Sequence, residues 1–107
     1  MALASSGPHT NGFTLIRDLL RQDPSLAQKQ VGTGTFIDVV LEPHRCYYRA
    51  LKDLLSRDVL SGMAHITGGG IKENLDRILP SALDARIDLQ RYKPHAVFEV
   101  IEQWATR

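Results

Sequence analysis

The sequence predicts an α/β domain, α+β-like in grouping, with helices layered on a small mixed sheet. Three observations carry that expectation. Apolar residues recur at helical spacing around Phe13, Tyr47, Ile71 and Val97. Leu83 to Leu89 alternates apolar and charged residues with period two. Two glycine-rich stretches each lead from a strand-like piece into a helix start. At 107 residues the chain has the length of one domain and can bury about two-thirds of its unfolded surface.

The elements follow in order. ALASS, at residues 2–6, looks like the end of a strand. Phe13, Leu15, Ile16, Leu19 and Leu20 predict a helix from about Gly12 to Gln22. Thr10 or Asn11 is placed to cap it, and Asp23-Pro24 ends it, because a residue before proline avoids helical backbone. SLAQKQVGTGT is polar and glycine-punctuated, which predicts a surface loop. TFIDVVLEP admits two readings: its β-branched residues favour strand, while Thr35 with Asp38 resembles a capping box. Pro43 suits the first turn of a helix to about Arg57, burying Tyr47, Ala50, Leu51, Leu54 and Leu55. Met63 to Thr67 fits an inner strand, and Ile71 to Leu79 a helix stopped by Pro80. Leu83, Ala85, Ile87 and Leu89 point one way and Asp84, Arg86 and Asp88 the other, as in a half-exposed strand. Pro94 opens a last helix to about Ala105, burying Val97, Phe98, Ile101 and Trp104 or Ala105.

Composition removes several function classes. A net charge of +1, with its basic residues dispersed, leaves no electrostatic footprint for nucleic acid. No apolar run is long enough to span a bilayer, and the N-terminus lacks a signal peptide's basic start. A single cysteine, Cys46, excludes an internal disulfide framework and suits a reducing compartment. The expected location is the cytoplasm.

The candidate chemistry lies in SSGPHTNG and HITGGGIKEN. Backbone N–H groups at a helix start carry partial positive charge, and glycines let the backbone approach an anion closely. As bare patterns both stretches fit a structural turn as well as an anion cradle; neither is a Walker A loop or a dinucleotide fingerprint. His65, on an apolar run, favours a core histidine satisfied by a carbonyl; the alternative is a donor or proton carrier beside a substrate. His44 and His95 adjoin prolines and suit helix starts, and Cys46 reads as a packing residue. Arg45 and Arg49 read as a solvated face. The histidines lack metal-ligand spacing.

SSGPHTNGFTLIR and GMAHITGGGIKENLDRILP resemble the two most characteristic motifs in the second half of the aminoimidazole ribonucleotide synthetases, the phosphoribosylformylglycinamidine cyclo-ligases. LEPHRCYY resembles that family's Pro-Thr-Arg-Ile-Tyr segment, and KPHAVFEVI its Pro-x-x-Phe helix. Selenophosphate synthetase, thiamine-phosphate kinase and the second purine amidotransferase share the fold but match these strings less well. The resemblance implies an ATP-dependent enzyme of de novo purine biosynthesis, two-domain and dimeric, of which residues 1–107 are a single partial C-terminal domain. ATP and Mg2+ would sit mainly in the N-terminal domain, absent here, so this chain alone is expected to hold neither and to be inactive. The matching positions imply a phosphorylated ribonucleotide substrate at Ser6, Gly7, His9, Asn11 and Gly12, and at His65, Thr67, Gly68, Gly69, Gly70 and Asn74. His9 is the candidate for a catalytic role. His44 and Cys46 replace the family's Thr and Ile, and the chain ends before the family's Asn-x-Gly-x-Gly strand. The rival reading is a non-catalytic module that binds phosphorylated ligands or oligomerises through exposed sheet edges.

Overall fold

A computed structural model describes residues 1–106. The helices are α1 (Phe13–Gln22), α2 (Phe36–Val40), α3 (Tyr48–Leu55), α4 (Gly70–Asp76) and α5 (Ala96–Ala105). The strands are β1 (Gln30–Val31) and β2 (Gly34–Thr35), and 3-10 turns cover Thr10–Gly12, Pro24–Gln28 and Leu89–Arg91. The fold class is α/β, as expected, but the sheet is one antiparallel pair and not a mixed sheet. The chain divides into two compact units, Met1–Arg45 with Tyr92–Arg107, and Cys46–Arg91.

The first unit holds the apolar core. α1 buries Ile16 and Leu19, its expected stripe. Neither Thr10 nor Asn11 caps it: both lie in a 3-10 turn, and the N-cap is Gly12 with no side-chain hydrogen bond. The helix ends as predicted, with Asp23 extended before Pro24 and its N–H bonded to Leu19 O at 2.9 Å.

The stretch read as a surface loop contributes to the core. Leu26 is fully buried and Val31 nearly so. Gly32, at φ 62°, turns β1 back onto β2, pairing Gln30 with Thr35 and Val31 with Gly34. Of the two readings of TFIDVV, the helix is realised. Thr35 Oγ1 accepts from the Asp38 N–H at 3.4 Å, and Asp38 Oδ2 accepts from the Thr35 N–H at 3.1 Å. That capping box aims Phe36 and Val40 into the core. α5 packs against α1, α2 and β1 through Val97 and Val100. Phe98 was expected in that stripe but is 38% exposed, edge-on to His95. Trp104 Nε1 donates to Asp23 Oδ2 at 3.3 Å, tying the end of α5 to the end of α1.

The second unit is built differently. α3 begins at Tyr48, not Pro43, and residues 42–47 are irregular. Its N-cap residue is Tyr47, whose side chain makes no capping hydrogen bond. Leu51 and Leu54 are half-buried, but Ala50 and Leu55 are exposed. α4 ends at Asp76, and Leu79 joins only through a turn, its N–H bonded to Leu75 O at 3.1 Å. Residues 2–6, 63–67 and 83–89 form no ladder among the described residues, against expectation. Their patterns encode two faces of a strand, but a strand is stable only with neighbours to pair with. Among the described residues, no hydrophobic side chain of 46–91 is fully buried.

Candidate functional site

The first glycine stretch runs inward and then out. Ser6 is 3% exposed, and its Oγ has no hydrogen-bond partner among the described residues. A buried hydroxyl without a partner is costly and calls for an explanation. Gly7 follows at φ 124°, where an added Cβ would lie 3.8 Å from Val97 Cγ1. Its lack of a side chain fits the positive φ, while Val97 lies only at ordinary contact distance. His9 is half-buried and stacks on His44, ring centroids 3.9 Å apart and planes 26° from parallel. Its carbonyl accepts from the Gly12 N–H at 2.8 Å, closing the 3-10 turn that feeds α1. Asn11 and Gly12 are exposed at the start of that helix, whose N-terminus no side chain caps. The 3-10 turn already engages the amides at that start, the Gly12 N–H on His9 O and the Phe13 N–H on Thr10 O.

The second stretch is organised around Asn74. This residue of α4 is 4% exposed, and its Nδ2 donates to the carbonyls of Thr67, Gly68 and Gly70 at 3.4, 3.2 and 2.7 Å. Its Oδ1 accepts from Arg77 at 3.1 Å. Gly69 and Gly70 have φ of 91° and 68°, and the Gly70 N–H bonds to Thr67 O at 3.0 Å. The triple glycine is therefore a left-handed turn held from inside, with Thr67, Gly68, Gly69 and Gly70 exposed. His65 is exposed on irregular backbone, so the core-histidine reading does not hold. Cys46 is also exposed and precedes α3, where a packing residue inside a helix was expected.

Ser6, Gly7, His9, Asn11 and Gly12 thus share one loop in the first unit, and His65, Thr67, Gly68, Gly69, Gly70 and Asn74 lie together in the second. Sequence reasoning missed two supporting residues. His44 braces His9, and Arg77 holds Asn74; spacing gives no signal for the first, but Arg77 lies three residues after Asn74 on one helical face. Among the described residues no three His, Cys, Asp or Glu side chains gather as a metal-ligand set.

Fold and loops together define a small α/β domain with two glycine-rich loops, each opening onto a helix. The chain belongs to the family described as AIR synthase related protein, C-terminal domain, whose model matches residues 1–106. It is similar to the phosphoribosylformylglycinamidine cyclo-ligases of Sorangium cellulosum (strain So ce56), 42% identical over 109 residues, and Ligilactobacillus salivarius (strain UCC118), 38% identical over 107. It is 35% identical over 106 residues to the same-named protein of Alkaliphilus metalliredigens (strain QYMF). These matches cover 96% of this chain but only 30–31% of each relative. The chain spans under a third of the length of the relatives it matches. Among the described residues no helix is long and apolar enough to cross a membrane.

Proposed function

We propose that residues 1–107 are a partial C-terminal domain of an ATP-dependent cyclo-ligase that converts formylglycinamidine ribonucleotide to aminoimidazole ribonucleotide in purine biosynthesis. The shared name of the relatives supports the reaction, and the family match supports the placement of the domain. In this reading ATP supplies the phosphoryl group that activates the formyl oxygen, and ring closure by an internal nitrogen displaces phosphate. Phosphoryl transfer needs positioning and charge stabilisation more than covalent help. ATP and Mg2+ fall to an N-terminal domain, the enzyme works as a cytoplasmic homodimer, and residues 1–107 alone do not turn over.

The first loop is the substrate-binding part of this chain. The observation that carries this reading is Ser6, whose buried Oγ lacks a partner at the foot of a loop leading into an uncapped helix. A substrate phosphate would accept from that hydroxyl, with Gly7 letting the backbone approach. His9, braced by His44, would orient the reacting amidine. The second loop offers the exposed Thr67 and the backbone of Gly68 and Gly69 to the ribose or phosphate end. Asn74 acts there as a positioning residue, because its amide is spent on three loop carbonyls.

The test is steady-state kinetics of a full-length cyclo-ligase carrying this domain. Ser6→Ala is expected to raise KM by about tenfold, the loss of one hydrogen bond to a charged group. His9→Ala is expected to lower kcat by about a hundredfold, with His9→Gln retaining part of it through its amide. Unchanged turnover and affinity in both variants would remove the first loop from the site.

A further inference from the structure

We propose that Glu73 makes the second loop a receptor for ribose hydroxyls and not for phosphate. The inference rests on the proposed reading that this loop meets the substrate, and it decides which end of that substrate the loop takes. It begins with the place of the Glu73 carboxylate. An added Cβ at Gly69 would run into Glu73 Oε2 and stand 2.7 Å from its Cδ, so the carboxylate is folded back over the glycine turn. Glu73 and Arg77 stand at i, i+4 along α4 and its C-cap, in the order that favours an ion pair. That pair is not formed. Arg77 donates instead to Asn74 Oδ1 at 3.1 Å, and among the described residues Glu73 makes no ion pair. The exposed rim of the turn thus carries a carboxylate without a cation beside it.

The rest of the loop points to the same ligand. The Gly70 N–H is spent on Thr67 O at 3.0 Å, and the carbonyls of Thr67, Gly68 and Gly70 are engaged by Asn74 Nδ2. Glu73 lies in the first turn of α4, so the positive end of that helix is already offset by a carboxylate of the chain's own. A phosphate brought to Gly69 would meet a like charge, and charges about 4 Å apart repel even in water. A ribose diol carries two donors and no charge. Its hydroxyls can donate to the carboxylate oxygens, as they do to the acidic side chain of a dinucleotide site. The exposed Thr67 hydroxyl adds a group on the same turn that both donates and accepts. Gly69 leaves room for the carboxylate because it has no side chain. Asn74 holds the turn from inside and, by engaging Arg77, keeps that guanidinium occupied.

The test is steady-state kinetics of a full-length cyclo-ligase carrying this domain, with formylglycinamidine ribonucleotide and its 2′-deoxy and 3′-deoxy analogues as substrates. Wild type is expected to disfavour at least one analogue in kcat/KM by about tenfold or more, the loss of one hydrogen bond to a charged group. Glu73→Ala should lower kcat/KM for the ribonucleotide by about the same factor and leave that analogue unchanged, so the preference disappears. Glu73→Gln, which keeps one acceptor oxygen, should fall between. Glu73 is exposed, so folding is not at stake, and circular dichroism checks it. A wild type indifferent to both hydroxyls, or a Glu73→Ala variant that keeps the full preference, would overturn the assignment and leave the reaction in place. A lower KM for all three substrates in Glu73→Ala would also overturn it, by showing that the carboxylate had been repelling the phosphate. A wild-type enzyme that turns over none of them would remove the reaction, and this assignment with it.

Discussion

Asp38 shows how one side chain can fix a local fold and leave a measurable trace. The Thr35 hydroxyl donates to its carboxylate at 2.6 Å, the Thr35 N–H does so at 3.1 Å, and these bonds hold its pKa below the ordinary value. A depressed carboxyl pKa means the folded state favours the ionised form. The stabilisation is thus fully present above the unfolded value of about 3.9 and is lost as pH falls through the lower folded value. Asp38→Asn is expected to be less stable than wild type near neutral pH, the gap closing as the solution is acidified below that range. Urea denaturation of both proteins across an acid pH series measures it, and a gap independent of pH would contradict the capping-box account. Thr35 and Asp38 were legible in the sequence because a capping box has a fixed spacing. Asn74 was legible only as a position, since what its amide binds depends on how the glycines before it turn.

At the scale of elements, α4 depends on the glycine turn that precedes it. At Gly69 two costs combine on substitution: φ is 91°, and an added Cβ would run into Glu73, 2.7 Å from its Cδ and 3.0 Å from its Cβ. Gly69→Ala is expected to cost the second unit about 1–2 kcal/mol from backbone strain, with the steric term in addition. Glu73→Ala in the same chain relieves much of the clash and none of the φ strain, so partial recovery is expected. Amide hydrogen exchange over residues 70–76 reads the change. Full recovery by Glu73→Ala would show that φ carries no cost. α1 and α5 could be read from sequence because an apolar stripe records a helix's own buried face. Leu26 and Val31 could not, since each stands alone in a polar run and is buried by tertiary packing. The strands expected at 63–67 and 83–89 failed for a third reason: alternation specifies which face is apolar, while pairing requires a partner that the pattern does not name.

For the whole molecule, the distribution of the core decides how the chain comes apart. The most fully buried large side chains, Phe36, Leu26 and Val97, all belong to the first unit, and the one buried residue among the described residues of the second is Asn74. Burial of apolar surface is the dominant stabilising term, so the two units have very different reserves against chain entropy. The one tryptophan, Trp104, lies in the first unit and is bonded to Asp23, so its fluorescence follows that unit. Far-ultraviolet circular dichroism also follows α3 and α4. On heating, ellipticity is therefore expected to fall in two stages, the first without any change in tryptophan emission. Phe36→Ala, which empties the most buried aromatic position at a cost of about 3–5 kcal/mol, should lower the tryptophan transition and leave the first ellipticity stage in place. Coincident fluorescence and ellipticity curves in wild type would show that residues 46–91 share the stability of the first unit despite lacking a buried apolar core of their own.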